Sequence, residues 1–295
     1  MSMQTISQTR PDWVSPELYP FQDRYMEVDG QPMHYVDEGS GETIVFVHGT
    51  PTWSFLWRNM IKKFSGQYRC IAPDHLGYGL SGKDPKYAYS AKQLAQNFET
   101  FIEKLKLEKF TLVVHDFGGP IGLNYAIKHP EKVKRIVLFN TWMWETKTDP
   151  EVQKINRILK SCMGKFLYRH MNFSPKVLLK KGFHDKKKLS KTVHQHYTKA
   201  FPKAKDRQGP YQIGLSLMGD SDWFAQLWQQ RDKISHKPFL VIWGKQDAFF
   251  QQAHLDKWKA VLSNYQLKEL EAGHFPQEEF PEEVNSAISQ FLNAD

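Results

Sequence analysis

The chain has 295 residues, of which 40% are hydrophobic and 24% charged, and its formal net charge is +8. This composition is that of a folded protein and excludes a disordered chain. The two cysteines, Cys70 and Cys162, exclude a disulfide framework. No apolar run approaches the roughly 20 residues of a membrane span, and the polar segment 1–8 lacks the apolar core of a signal peptide. We therefore predict a cytoplasmic protein whose partners include neither a membrane nor a nucleic acid.

Segments typical of strands and helices alternate along the chain, which indicates a mostly parallel sheet with helices on both faces. The predicted strands are Arg24–Val28, Met33–Asp37, Thr43–Val47, Arg69–Ala72, Phe110–Val114, Arg135–Phe139, Phe239–Trp243 and Gln266–Glu269. The predicted helices are Ser54–Phe64, Ala91–Leu105, Gly118–His129, Ala253–Leu262 and Pro281–Leu292. The first two strands are short and meet at Asp29-Gly30, so they are expected to form an antiparallel edge hairpin.

This alternation stops between about 143 and 232, where the pattern is helical and contains no convincing buried strand. Because this stretch separates two core strands, we expect it to insert as a helical cap over the sheet edge where ligands bind. The predicted division is a core of 1–142 and 233–295 and a cap of 143–232. The cap contains a lysine-rich run without any nucleic-acid-binding motif, which is typical of solvated surface. The run comprises Lys180, Lys181, Lys186, Lys187, Lys188 and Lys191.

One turn between a strand and a helix carries an informative carboxylate. The apolar run Phe110–Val114 is followed by His115-Asp116-Phe117-Gly118 and then by a helical pattern. Strand, sharp turn and helix in this order form a nucleophile elbow, which lifts one side chain above the sheet. A carboxylate there attacks carbon by displacement and leaves an alkyl ester on the enzyme. Asp116 is therefore the predicted nucleophile, which favours dehalogenation or epoxide opening over ordinary ester hydrolysis.

Further positions carry the groups that such a nucleophile needs. His274 follows the last predicted strand and is the expected general base, because a neutral imidazole activates water. Asp247 follows the strand Phe239–Trp243 and is expected to orient that imidazole. The backbone N–H groups of Thr50 and Phe117 form the predicted oxyanion hole. The chain order of nucleophile, acid and histidine is that of α/β hydrolases.

At these residues the chain resembles the haloalkane dehalogenase family, from about Tyr19 to the C-terminus. The matching segments are Met33–Gly39, His48–Arg58, Ala72–Ser81 and His115–Gly119. The resemblance implies an α/β-hydrolase fold, with an eight-stranded, mostly parallel sheet, helices on both faces and an inserted helical cap. It implies a hydrolase without cofactor or metal, which converts a small apolar haloalkane and water to an alcohol and halide. Asp247 is similar to the acid of branches in which it follows the later strand, since Asn140 follows the earlier one.

Two positions depart from the family pattern. The family normally has Trp after the nucleophile, whose indole N–H grips the leaving halide, and here Phe117 has no side-chain donor. The second halide donor is often an Asn at the position that Thr50 occupies. Some branches take a donor from a cap Trp instead. The candidate substrate or halide contacts are therefore Trp142, Trp144 and Trp223.

Three alternative functions remain open. An epoxide hydrolase would use the same Asp nucleophile with two cap tyrosines, for which Tyr168, Tyr197 and Tyr211 are candidates. A β-lactone decarboxylase is similar in its Asn140-Thr141 pair, although it too has Trp at the position of Phe117. A ligand-binding protein without enzymatic activity is disfavoured, because nucleophile, acid and base are all present. The residues do not predict an oligomeric state.

Overall fold

In the computed structural model, which describes residues 9–294, eight strands form one sheet. They are β1 (Arg24–Val28), β2 (Gln31–Glu38), β3 (Thr43–Val47), β4 (Arg69–Pro73), β5 (Phe110–Val114), β6 (Val133–Leu138), β7 (Phe239–Gly244) and β8 (Tyr265–Leu270). Their order across the sheet is β1-β2-β4-β3-β5-β6-β7-β8. The pairs β1-β2 and β2-β4 are antiparallel and the other pairs are parallel. The predicted α/β class and the antiparallel edge hairpin are confirmed.

Twelve α-helices surround this sheet within residues 9–294. They are α1 (Arg58–Phe64), α2 (Ala91–Leu105), α3 (Gly118–Lys128), α4 (Pro150–Lys160), α5 (Cys162–His170), α6 (Leu179–Gly182), α7 (Lys191–Lys199), α8 (Gln208–Gly219), α9 (Ser221–Gln229), α10 (Gln252–Lys259), α11 (Pro276–Glu279) and α12 (Pro281–Leu292). Short 3-10 turns cover Ser54–Trp57, Pro130–Lys132, Lys186–Lys188, Ala204–Arg207 and Arg231–Lys233, and a π-helical turn covers Ser174–Leu178. Helices α4 to α9 all lie between β6 and β7, and that connection contains no strand.

Local sequence chemistry explains several of these boundaries. Asp29 and Gly30 both have positive φ, 49° and 71°, as the central residues of a two-residue type I′ hairpin require. The Ser90 hydroxyl caps α2 by accepting a hydrogen bond from the Gln93 N–H at 3.1 Å. Lys106 ends α2 in the left-handed conformation. Because of these local features, the observed ends of β1, β2 and α2 match the predicted ends or lie close to them.

Three predicted helices differ from the structure at their ends. Helix α3 ends at Lys128, one residue before the predicted end. The segment Ser54–Phe64 is a 3-10 turn followed by α1. Helix α10 stops at Lys259, because the N–H groups of both Val261 and Leu262 bond to the Trp258 carbonyl, which tightens the chain into a turn. No described helix has both the length and the apolarity needed to cross a bilayer. The cytoplasmic location stays a prediction.

The sheet places the predicted site residues at one edge. Thr50 follows β3, Asp116 follows β5, Asp247 follows β7 and His274 follows β8. Strands β3, β5, β7 and β8 are parallel, so their carboxyl ends point the same way and their following loops meet above that edge. Strands β3, β5 and β7 are buried along their whole length. The loops therefore stand on a rigid apolar support.

Candidate active site

The elbow at Asp116 is a strained turn, and nearby glycines leave the space that it needs. Asp116 has a φ of 52°, a left-handed conformation that is uncommon for a residue other than glycine. A Cβ atom at Gly49 would collide with the Asp116 side chain, and one at Gly118 would collide with the Val47 carbonyl. A Cβ at Gly119 would collide with Thr141. The glycines therefore let the strand β3 loop, the elbow and the β6 loop approach one another closely.

Asp116 is almost buried, at 7% exposure, and its two carboxylate oxygens have different surroundings. The Thr50 N–H donates a hydrogen bond to Oδ1 at 2.7 Å. Oδ2 lies 3.6 Å from His274 Nε2. Phe117, the other predicted oxyanion-hole residue, follows Asp116 in the chain. Its backbone N–H donates no hydrogen bond to any residue within 9–294. The structure thus brings Thr50, Phe117, Asp116 and His274 together.

His274 also contacts the predicted acid. Its Nδ1 lies 2.8 Å from Asp247 Oδ2, and both side chains are nearly inaccessible to solvent. The second carboxylate oxygen, Asp247 Oδ1, accepts a hydrogen bond from the Phe249 N–H at 2.7 Å. This geometry requires Nδ1 of His274 to carry a proton, which directs Nε2 toward Asp116.

Two carboxylates control the protonation of His274. Burial alone would lower the pKa of this imidazole, but the charges of Asp247 and Asp116 and their hydrogen bonds raise it to about 10. The resting site therefore holds an imidazolium between two carboxylates at neutral pH. Neutralising either carboxylate would lower the pKa of His274.

Sequence reasoning missed the groups that brace the elbow. Asn140 occupies the alternative acid position, and its side-chain amide donates to the Gly244 carbonyl at 3.1 Å and accepts from the Gly244 N–H at 2.8 Å. The Asn140 carbonyl accepts from the Asp116 N–H, and the Thr141 hydroxyl donates to the Asp116 carbonyl at 2.5 Å. Asn140 therefore ties the nucleophile to the β7 strand that leads to Asp247. The pair Asn140-Thr141 was visible in the sequence, but these bonds were not.

Three buried histidines brace the site without entering it. The His75 N–H donates to His48 Nε2, so His48 carries its proton on Nδ1, which donates to the Gly49 carbonyl at 2.7 Å. His115 Nε2 donates to the His274 carbonyl at 2.7 Å. Burial lowers the pKa of His48, His75 and His115, the last two strongly, so all three stay neutral. They fix the loops that carry Thr50 and His274.

Of the three candidate tryptophans, Trp142 packs directly on the elbow. Its ring meets Phe117 edge to face at 4.8 Å and stacks on Phe250, whose ring in turn stacks on His274. The indole Nε1 of Trp142 is buried and has no hydrogen-bond partner within residues 9–294. A buried N–H without a partner is costly, so the indole of Trp142, whose ring packs on the residue after the nucleophile, offers a donor suited to an anionic ligand.

The other two tryptophans have different surroundings. Trp144 packs among Trp228, Trp258 and His254, and its ring contacts do not include Asp116 or His274. It lines a separate surface cleft of about 520 Å³. Trp223 is 9% exposed and packs against Phe224, which meets Trp142. The structure therefore brings Trp142, but not Trp144, to the elbow.

A tyrosine outside the helical insertion reaches the position of the usual Asn donor. The Tyr78 hydroxyl donates to Thr50 Oγ1 at 3.3 Å. Burial raises the pKa of Tyr78 well above its ordinary value, and Asp116 and Tyr168 lie near enough to raise it further. Thr50 is half-buried, whereas its neighbours Gly49 and Pro51 are buried. The sequence signal was the tyrosine between two glycines in Gly77-Tyr78-Gly79.

Acidic and histidine side chains that could hold a metal ion occur elsewhere. Within residues 9–294 one such group is formed by Glu99, Glu103 and His129 on α2 and after α3. Lys128 already forms an ion pair with Glu99 at 2.6 Å. Asp116, Asp247 and His274 are not part of that group.

Comparisons with known proteins agree with this geometry. Residues 42–281 match the alpha/beta hydrolase fold family. Haloalkane dehalogenase 2 of Mycobacterium tuberculosis is 33% identical over 276 residues, which cover 92% of this chain and 96% of the relative. The chain belongs to the haloalkane dehalogenase family of α/β hydrolases. The resemblance seen in the sequence, the fold class and the assignment to the hydrolases are thereby confirmed.

Two further relatives broaden the comparison. A cis-3-alkyl-4-alkyloxetan-2-one decarboxylase of Shewanella oneidensis is 32% identical, over 93% of this chain and 89% of the relative. The crystal structure of the haloalkane dehalogenase DatA from Agrobacterium tumefaciens is 25% identical and superposes with a TM-score of 0.82, covering 92% of this chain and 96% of that one. The chain thus resembles proteins with more than one named reaction.

Proposed function

We propose that this dehalogenase-type hydrolase uses Asp116 as nucleophile, Asp247 as acid and His274 as base on a small apolar haloalkane. The observation that carries the proposal is the arrangement of Asp247, His274 and Asp116, with 2.8 Å and 3.6 Å separations on the two sides of the imidazole. We further propose residues 143–232 as the cap over this site, a cytoplasmic location, and a reaction without cofactor.

The first step is a displacement at carbon. Thr50 holds Oδ1 of Asp116, which leaves Oδ2 to attack the carbon that bears the halogen. The carbon–halogen bond breaks, its electron pair leaves with the halide, and an ester forms on Oδ2. This step needs no base, because a carboxylate is itself the nucleophile.

The ester changes the state of His274. Esterification removes the negative charge of Asp116, and with it part of the interaction that raises the pKa of His274. The imidazolium then releases its Nε2 proton to solvent, which balances the charge of the departing halide, and becomes a neutral base for water. Asp247 keeps the Nδ1 proton in place and stabilises the imidazolium that forms again. The nucleophile therefore controls when its own base becomes available.

The second step is hydrolysis at the Asp116 carbonyl. Water gives a proton to His274 and its oxygen bonds to the Asp116 carboxyl carbon. The charge develops on Oδ1, which already lies 2.7 Å from the Thr50 N–H, and the Phe117 N–H supplies the second donor. Collapse breaks the bond to the alkyl oxygen, which takes the proton from His274 and leaves as the alcohol. The second proton of the water stays on the Asp116 carboxyl group and then passes to His274. Asp116 is thereby regenerated as a carboxylate that contains an oxygen from water, and His274 returns to the imidazolium.

The leaving halide needs hydrogen-bond donors other than the two that are usual in this family. Phe117 and Thr50 remove the two usual side-chain N–H contacts, and we propose that the buried indole N–H of Trp142 supplies one in their place. Trp144 and Trp223 have no such position beside Phe117. Bromide titration followed by tryptophan fluorescence tests this, with Trp142→Phe expected to abolish saturable binding and Trp144→Phe expected to keep it. Equal binding by both variants would exclude Trp142 as the donor.

A second candidate function is the opening of a strained oxygen ring, such as an epoxide. The observation that favours it is the hydroxyl pair of Tyr78 and Thr50 beside Asp116. An alkoxide leaving group needs a proton, which hydroxyls can donate. The Tyr78→Phe variant should then lose epoxide turnover and keep haloalkane turnover. The Shewanella relative is named for a substrate that also contains a strained oxygen ring, an oxetan-2-one.

The adduct on a His274→Ala variant decides between these substrates. Without the base, the ester on Asp116 should accumulate, and intact-protein mass spectrometry should show an added alkyl group from a bromoalkane with the bromide lost. An epoxide would add its whole mass. The Asp116→Asn variant is the matched control and should show no adduct. Adducts from epoxides alone would replace the first function by the second, and an adduct on Cys70 or Cys162 would reject Asp116 as nucleophile.

A further inference from the structure

Exposed apolar side chains are concentrated in one part of the helical insertion. Of the eight most exposed large apolar residues in segment 9–294, six lie between positions 155 and 177. They are Ile155, Ile158, Met163, Phe166, Met171 and Val177. Exposure reaches 52% for Ile158, 66% for Met163 and 50% for Phe166. Isolated exposed apolar residues are ordinary, but a concentration of this kind marks an interaction site.

A tight turn joins α4 and α5, the two helices that carry four of these exposed residues. Ser161 ends α4 and caps α5, and its hydroxyl accepts from the Gly164 N–H at 3.0 Å. A Cβ atom at Gly164 would collide with the Ile158 carbonyl, so glycine lets the two helices meet closely. Ile158 and Met163 are therefore neighbours across a tight turn, and Phe166 follows one turn later on α5. We call the exposed apolar residues of α4 and α5 the outer apolar surface; they are Ile155, Ile158, Met163 and Phe166.

The same segment is strongly basic. Residues 150–191 contain twelve Lys and Arg but only two Asp and Glu, a net charge of +10, whereas the whole chain carries +8. The remainder of the chain is therefore slightly acidic. Lys154, Arg157, Lys160 and Lys165 alternate with the apolar residues along α4 and α5. The lysine-rich run 180–191 continues this charge.

We propose that the outer apolar surface docks on an anionic lipid bilayer. Exposed Ile, Met and Phe side chains on helices flanked by Lys and Arg match an interface in which apolar groups enter the acyl boundary and cations contact the headgroups. A neutral bilayer would not attract the +10 charge of this segment, and a nucleic acid would not bind its exposed apolar residues. This proposal replaces the expectation from sequence of no membrane partner, which considered spans and not surface contacts.

Helix α5, which carries part of this surface, also carries a residue near Tyr78. Helix α5 carries Phe166 outward, whereas Tyr168 packs against Tyr211 and Phe173 on its inner side. Tyr168 lies near enough to Tyr78 to influence its ionisation, and Tyr78 bonds to Thr50 beside Asp116. Docking would therefore place the helices over the nucleophile against the phase in which an apolar substrate dissolves.

Vesicle co-sedimentation of the full chain tests the proposal. The wild type should bind vesicles of phosphatidylglycerol and phosphatidylcholine, bind phosphatidylcholine vesicles at least about tenfold more weakly, and lose affinity as salt rises. The double variant Ile158→Glu/Phe166→Glu should lower the affinity for anionic vesicles by about tenfold or more. Each single variant, Ile158→Glu and Phe166→Glu, should also weaken this binding. Leu267→Glu, which adds the same single negative charge at an exposed apolar residue of β8, is their matched control and should bind like the wild type.

Folding and activity are checked in parallel. Both variants should keep the circular dichroism spectrum and the turnover of a freely dissolved substrate, because neither changes a residue at Asp116. Equal binding by the double variant and the wild type, or equal binding to charged and neutral vesicles, would overturn the proposal. Sedimentation velocity gives a third outcome that would overturn it. A dimer that the double variant converts to monomer, without vesicle binding, would assign the surface to a contact between copies.

Discussion

Replacing Phe117 by Trp should raise the rate of dehalogenation, because the present side chain offers no hydrogen-bond donor to the halide. Phe117 is 4% exposed and meets the Trp142 ring at 4.8 Å, so a larger ring here must displace neighbours. Overpacking of this kind costs about 1–3 kcal/mol of unfolding free energy. The new indole N–H adds a charge-assisted hydrogen bond to the leaving halide, worth about 1.5–3 kcal/mol. That gain corresponds to about ten- to a hundredfold in the displacement rate.

The assay is halide release from a bromoalkane, with kcat/KM compared between the wild type, Phe117→Trp and Phe117→Leu. The Leu variant disturbs the same packing without adding a donor and should show no gain. Urea unfolding of all three variants measures the packing cost separately. A Phe117→Trp variant that stays folded, yet gains neither activity nor bromide affinity, would refute the argument that the missing donor limits the reaction.

Two further predictions concern the electrostatics of His274. Asp247→Asn should lower the pKa of His274, which NMR of the imidazole measures. It should also reduce kcat by about a thousandfold or more, because the charge that stabilises the imidazolium is lost. An unchanged pKa would contradict the pairing of Asp247 with His274. Because folding raises this pKa from ~6.5 to about 10, the contribution of His274 to stability should be complete below pH ~6.5 and be lost as pH rises through 10. Urea unfolding against pH should show this loss in the wild type and a smaller one in His274→Gln, and parallel curves would disprove it.

The sequence predicted the sheet well because apolar runs and turn residues delimit its strands. Strands β1, β3 and β5 have the predicted limits, since each is a short apolar or alternating run. The positions of Asp116, Asp247 and His274 followed from their places after strands, because parallel strands bring their loops to one edge. Their spatial proximity in the structure agrees with that reasoning, and their catalytic roles remain proposals.

Contacts between residues far apart in the chain could not be predicted from the sequence. The bond of Tyr78 to Thr50 and the clamp of Asn140 on Gly244 depend on how loops from different strands face one another. The helical pattern of α4 and α5 likewise showed apolar positions, but not which of them a neighbouring helix covers. Leu159 is buried whereas Ile158 beside it is exposed, and only the packing of α8 on α4 decides this.

A single turnover in water enriched in oxygen-18 tests the central claim most directly. With enzyme in excess over substrate, the alcohol takes its oxygen from Asp116, and the oxygen of water enters the Asp116 carboxylate. The account predicts an unlabelled alcohol and a heavier Asp116 peptide after digestion and mass spectrometry. A labelled alcohol with an unlabelled Asp116 peptide would show that water attacks the substrate directly, which would contradict the covalent ester on Asp116.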